Sequence, residues 1–204
     1  MLFLASLLCL SSFAQTQGAA AAPAAMPPAS NAWYLGLGAP DISLGYRQGF
    51  SLFELEARAA FDYFQAAGTV ESGVRIRMLE KEKWSVAPSL GLGLSASSGA
   101  NYLDDYNYRH VSLQPRLGLW ATYAFMPQLS GIGLFDFPVR VSFSGNAFSI
   151  KPSVGTGAEL YLGNQLSLLL LFGLGPEWIK PPSSNDASCR FTWYLRFGIG
   201  FRIS

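Results

Sequence analysis

Between residues 190 and 203, Trp193, Leu195, Phe197, Ile199, Phe201 and Ile203 alternate with Thr192, Tyr194, Arg196, Gly198, Gly200 and Arg202. Successive side chains of a β-strand point to opposite faces, so this segment has one oily face and one polar face. The separation recurs along the chain. Wherever a charged residue can be placed in a candidate strand it falls on one parity, and the other parity is aliphatic and aromatic. Such a chain must enclose its ions and give its oily face to hydrocarbon, which predicts a barrel whose outside faces lipid.

Eight alternating segments lie near 51–65, 67–79, 84–95, 109–124, 132–144, 147–162, 165–179 and 190–203. Each is about long enough to cross a membrane as a tilted strand of roughly 9 to 11 residues. The oily faces include Leu55, Ala57, Ala59 and Phe61; Leu90, Leu92 and Leu94; Phe135, Phe137, Val139 and Val141; and Leu166, Leu168, Leu170 and Phe172. The opposite parity carries Glu54, Glu56, Arg58, Asp62, Glu71, Arg75, Arg77, Arg116, Asp136, Arg140, Lys151, Glu159, Glu177, Arg196 and Arg202. Acids and bases nearly balance there. An unpaired ion in a narrow space is costly, so the balance predicts salt-bridge networks in a lumen. Glycines on the same face would relieve crowding inside.

A soluble β-sandwich also alternates oily and polar faces. Its solvent face would be richer in Lys and Thr, and eight long strands would leave two edges to protect. Closure removes the edges. Trp84 and Tyr123 fall at one end of the segments, and Tyr63, Trp178 and Trp193 at the other, where interfacial girdles place amphipathic rings. In the stretch 31–48, Trp33, Leu35 and Leu37 alternate up to Ala39-Pro40, and Ile42, Leu44 and Tyr46 resume on the shifted parity. A tight turn at Pro40 would make two short strands of it. The expected fold is therefore all-β, a closed antiparallel transmembrane barrel of eight to ten strands, with ten preferred because both termini then share one side.

The apolar fraction of 50% excludes disorder, and a net charge of +1 gives no clustered basic surface for nucleic acid. Residues 1–14 carry Leu2, Phe3, Leu4, Leu7, Leu8 and Leu10 ahead of Ser12-Phe13-Ala14 and read as a signal peptide, although no Lys or Arg precedes the apolar run. Residues 15–30, rich in Ala and Pro, read as a flexible leader, and 31–204 as the barrel. Loss of the signal peptide leaves Cys189 as the only thiol, read as an inert loop cysteine.

With a cleavable leader, alternating strands and an aromatic terminal strand at 191–204, the chain resembles the small bacterial outer-membrane β-barrel proteins. The terminal strand is similar to the signal read by the barrel-assembly machinery, which usually ends on an aromatic residue where this chain ends on Ser204. The resemblance implies the outer membrane of a Gram-negative bacterium, contact with its lipids, insertion by that machinery, and a monomer. Such barrels serve as anchors, adhesins, narrow pores or lipid-modifying enzymes, so the fold alone does not select a role.

Three features could carry function. His110 and Ser112 share one strand face, similar to the His-x-Ser arrangement of outer-membrane lipid A deacylases, in which imidazole activates serine. Here Val111 and Leu113 hold the lipid-facing parity, and the sequence assigns no supporting carboxylate. The enclosed charges Glu54, Glu56, Arg58, Asp62, Arg75, Arg77, Arg116, Asp136, Arg140, Glu159, Arg196 and Arg202 would either lock the barrel or line a narrow channel. The loop residues Tyr102, Asp104, Asp105, Tyr106 and Tyr108 would form an external contact surface for an extracellular ligand. No phosphate loop or metal-spaced His and Cys set is present, so no cofactor is expected. A structural or surface-interaction role is the expected function, with an outer-leaflet lipid-modifying enzyme or a narrow pore as alternatives.

Overall fold

The computed structural model describes residues 24–100, 103–105, 107–143, 145–163, 165–182, 184 and 186–203. The signal-peptide segment, Cys9, Tyr102, Tyr106 and Ser204 lie outside them. Twelve β-segments follow one another: β1 (Asn31–Ala39), β2 (Asp41–Gly49), β3 (Phe53–Asp62), β4 (Ala67–Ile76), β5 (Leu79–Glu80), β6 (Trp84–Ser98), β7 (Arg109–Met126), β8 (Leu129–Ser142), β9 (Phe148–Ile150), β10 (Ser153–Tyr161), β11 (Leu166–Lys180) and β12 (Ser188–Ile203).

These make ten staves. β5 prolongs β4 along β6, and β9 and β10 form one stave between β8 and β11, interrupted at Lys151 and Pro152. Every pairing is antiparallel, and β1 closes on β12 from Asn31↔Ile203 to Ala39↔Leu195. Proline cannot donate to the ladder, and Pro40 alone links β1 to β2. Both expectations for this region, the tight turn and the count of ten, are met. The stretch 81–83, the pair 127–128 and the segment 162–165 join strands at the end that holds Asn31 and Ile203, whereas 99–108 and 181–187 span the other end. Short turns mark the periplasmic end of such barrels and long loops the outer end.

Burial is inverted relative to a soluble domain. Arg47, Glu54 and Glu159 are fully buried, whereas Val70 is 65%, Leu90 56% and Phe197 57% exposed. Charged residues are almost never fully buried unless paired, and soluble monomers do not display a continuous apolar wall. Hydrocarbon is the solvent that suits this exterior. Closure serves the same requirement for the backbone, since β1 pairs with β12 and the closed sheet has no free edge.

Inside, bulk and absence of bulk face each other. Tyr34 lies opposite Gly45 and Tyr194 opposite Gly173, and a Cβ on either glycine would overlap the facing ring. The expected use of interior glycine to relieve crowding thus takes a specific form, a ring laid over a bare backbone. Residues 15–23 of the leader lie outside the described residues. Ala24, Ala25 and Met26 are buried within the periplasmic half of the lumen, where Trp120 packs against the two alanines.

Candidate functional site

The lumen is organised in layers from the periplasmic end outward. At the bottom, Arg47 of β2 donates to Glu54 of β3 through Nε at 2.6 Å and Nη2 at 2.7 Å. Glu54 Oε2 also accepts the backbone N–H of Met26 at 2.6 Å. Arg75 donates from Nη1 to the carbonyl of Ala24, Arg77 donates to the carbonyl of Met26, and the N–H of Ala24 is held by Ser85 Oγ at 3.2 Å. The barrel wall therefore supplies partners to the inserted peptide, whose backbone groups would otherwise be unsatisfied in this narrow space. Arg77 also pairs with Glu80 at 3.2 Å, and Glu159 accepts from Ser167 Oγ at 2.7 Å.

A barrier of rings and aliphatic groups crosses the middle. Tyr34, Trp120 and Tyr194 pack against Ile132, Leu134, Leu169 and Leu171. Tyr34 donates to Glu56 at 2.5 Å, and Arg75 donates to the same carboxylate at 2.6 Å while its guanidinium lies 4.1 Å from the Trp120 ring centroid. Above this level, ion pairs form a belt. Arg196 meets Asp41 at 2.6 Å, Asp41 meets Arg58 at 3.0 Å, and Arg58 meets Glu71 at 3.3 Å. Glu71 then meets Arg116 at 2.6 Å and Arg116 meets Asp136 at 2.5 Å. The belt ties β12, β2, β3, β4, β7 and β8 together. It has to step over β1 and β6, which it does at Gly36, where an added Cβ would lie 2.9 Å from Arg196 Cδ, and at Gly93, where one would lie 3.0 Å from Glu71 Cβ.

Above the barrier is a vestibule of about 160 Å³, lined by the belt and by Asp62, Gln114, Arg140, Lys151 and Glu177. Asp62 accepts the backbone N–H groups of Phe64 and Gln65 at 2.9 and 3.0 Å. At the rim, Arg190 bridges Glu177 and Asp104, and Gln65 Nε2 donates to Asp104 at 2.7 Å. The long 99–108 loop is thereby fastened to the wall at its centre.

The enclosed charges proposed from the sequence all face inward, and most are joined in networks. Among the described residues Arg140 and Arg202 have no carboxylate within 4.0 Å. Of the loop residues, Asp105 is exposed, while Asp104 is buried as an ion-pair partner and does not stand free at the edge. Tyr108 packs against His110, with ring centroids 5.0 Å apart. His110 and Ser112 share the inner face and are both buried, yet among the described residues neither Ser112 Oγ nor His110 Nε2 has a hydrogen-bond partner, so imidazole and hydroxyl are not joined. His110 Nδ1 instead lies 3.0 Å from the Tyr108 carbonyl.

Asp41, Arg47 and Arg190 were not anticipated. The first two lie beyond the break at Pro40 on the parity opposite to Ile42, Leu44 and Tyr46, a signal that could have found them. Arg190 stands at the start of the last strand with the same parity as Arg196 and Arg202, a signal that could have found it.

No protein-family description and no curated protein sequence matches the chain. Solved structures of similar shape include the outer-membrane protease OmpT from Escherichia coli, 9% identical, covering 85% of this chain and 96% of that one with a TM-score of 0.49. NanC porin is 8% identical over 85% of this chain and 100% of that one, TM-score 0.46; KdgM porin is 10% identical over 86% and 98%, TM-score 0.44. These likenesses concern the barrel and assign no activity. From its own closed ladder, apolar wall and enclosed ions, the chain is a ten-stranded transmembrane β-barrel.

Proposed function

We propose that this protein is a closed surface barrel, a rigid fixture of the outer membrane that works by contact at its outer mouth and not by conduction. One observation carries the reading. The periplasmic half of the lumen is filled by residues 24–26, by the Tyr34, Trp120 and Tyr194 barrier and by paired ions, whereas the outer half keeps a vestibule beneath an anchored loop. A lumen packed with side chains suits a barrel of this size. The belt of ion pairs holds the wall in one shape, and the exposed Leu103 and Asp105 present the loop to the outside.

The test is planar-bilayer conductance of the folded full-length protein. The expected trace is indistinguishable from the detergent control. Reproducible steps above that control would overturn the closed-cup reading in favour of a narrow pore.

A further inference from the structure

We propose that the inner wall formed by β7, β8 and β9 is a binding site for a small hydroxylated oxyanion, a carboxylate or phosphate on a polyol body, with Arg140 and Lys151 receiving the anionic group. The proposal rests on the vestibule being the working end of the barrel and deepens that reading.

The first observation is charge. Five carboxylates line the vestibule, and each already has donors: Asp41 from Arg58 and Arg196, Glu71 and Asp136 from Arg116, Asp62 from two backbone N–H groups, and Glu177 from Arg190 and Ser149. Of the five cations lining it, Arg58, Arg116 and Arg196 are ion-paired. Arg140 and Lys151 have no carboxylate within 4.0 Å among the described residues; Arg140 reaches only Gln65 Oε1, at 3.5 Å. Lys151 lines the same vestibule as Asp41 and Asp62 and acts on both through charge, but forms no ion pair within 4.0 Å with either.

Register brings the two cations together. Arg140 lies opposite Ser149 on β9, and the backbone N–H of Lys151 bonds the carbonyl of Pro138, so the two share the inner face on neighbouring staves. On the other side, the pairs Ser112↔Ser142 and Leu113↔Val141 carry the register on to Gln114 opposite Arg140. Two like charges placed side by side repel, and a bound anion removes the repulsion while accepting charge-assisted hydrogen bonds from both.

The second observation is independent of charge. Along the same wall, Tyr108 Oη, His110 Nε2, Ser112 Oγ and Gln114 Oε1 are all buried without a hydrogen-bond partner among the described residues, and Arg140 Nε beside them is the same. His110 is 2% and Ser112 0% exposed. Buried polar atoms are nearly always satisfied, so four at alternate positions along one segment mark a surface awaiting a polar occupant. Of this ladder of amide, hydroxyl and imidazole groups Gln114 lines the vestibule and the others lie behind its wall, so an oxyanion seated on the cations turns its hydroxyls to them as the wall opens around it.

The test uses the folded full-length barrel in detergent, in phosphate-free buffer, with titration calorimetry against inorganic phosphate, glycerol 3-phosphate and glycerol. The expected result is saturable binding of both phosphates, tighter for glycerol 3-phosphate, and none for glycerol. Arg140→Gln and Lys151→Gln should each weaken phosphate binding about tenfold or more, the size of one charge-assisted hydrogen bond. Ser112→Ala should weaken glycerol 3-phosphate while leaving inorganic phosphate within about twofold. Arg202→Gln, an inward cation far from the vestibule, serves as the control and should change neither. Heat-modifiable migration reports folding of each variant; should one cationic variant fail to fold, the other decides. The proposal is overturned if neither phosphate binds at millimolar concentration, or if both cationic variants bind like wild type. A barrel that conducts yet loses phosphate in the Arg140 variant would refute the closed cup and keep this site. A silent barrel indifferent to both phosphates would do the reverse.

Discussion

Replacing Glu54 by alanine tests how the lower lumen is held. Its carboxylate takes two hydrogen bonds from Arg47 and one from the Met26 N–H, lies 3.7 Å from Arg75, and is fully buried, as is Arg47. Removing one member of such a pair takes the nearest counter-charge from a buried ion, which costs about 3–5 kcal/mol. Part of that is the orphaned N–H of the inserted segment, worth about 1–3 kcal/mol. Arg75 still has Glu56, so the damage stays local. Replacing both partners, Arg47→Met with Glu54→Leu, removes that ion as well and should restore all but about 1–2 kcal/mol, because a buried pair gains little over packed hydrocarbon. The measurement is reversible urea unfolding in phospholipid vesicles followed by tryptophan fluorescence, with the double-mutant cycle computed from the four midpoints and slopes. A Glu54→Ala barrel within about 1 kcal/mol of wild type would refute the claim that Glu54 is the main counter-charge of Arg47, as would a double variant weaker than the single.

The outer wall makes a separate prediction: Leu90→Arg, at the middle of β6, should cost about 2–4 kcal/mol in a bilayer, and Phe125→Arg at the periplasmic rim about 0–1. Equal costs would mean that the wall does not span hydrocarbon. Inside, Gly173→Val must displace the Tyr194 ring and should lower stability by about 1–3 kcal/mol, whereas Gly68→Ala, with open space around it, should be neutral in the same unfolding assay. Because Ser112 Oγ receives no base, Ser112→Ala should leave lipid A deacylation at the background of the wild-type barrel; a drop in turnover would restore the nucleophile reading.

Architecture was legible because its signal is local. The period-two separation of Leu90, Leu92 and Leu94 from Gly91 and Gly93 fixes which face meets hydrocarbon without any knowledge of a partner strand, and proline at 40 marks where the chain must turn. The direction of each charge followed from the same parity: Arg58, Arg116 and Arg196 point inward because their neighbours in sequence point out. What parity leaves open is who meets whom. Asp41 and Arg196 are 155 residues apart, and they touch because β12 closes on β1 and glycine at 36 lets a guanidinium pass over that strand. Register and closure are properties of the whole ring, as is the space that remains inside it. Only the tertiary structure therefore decided that residues 24–26 occupy the periplasmic half, that Asp104 is fastened to Arg190, and that Arg140 and Lys151 face the vestibule with no carboxylate within 4.0 Å among the described residues.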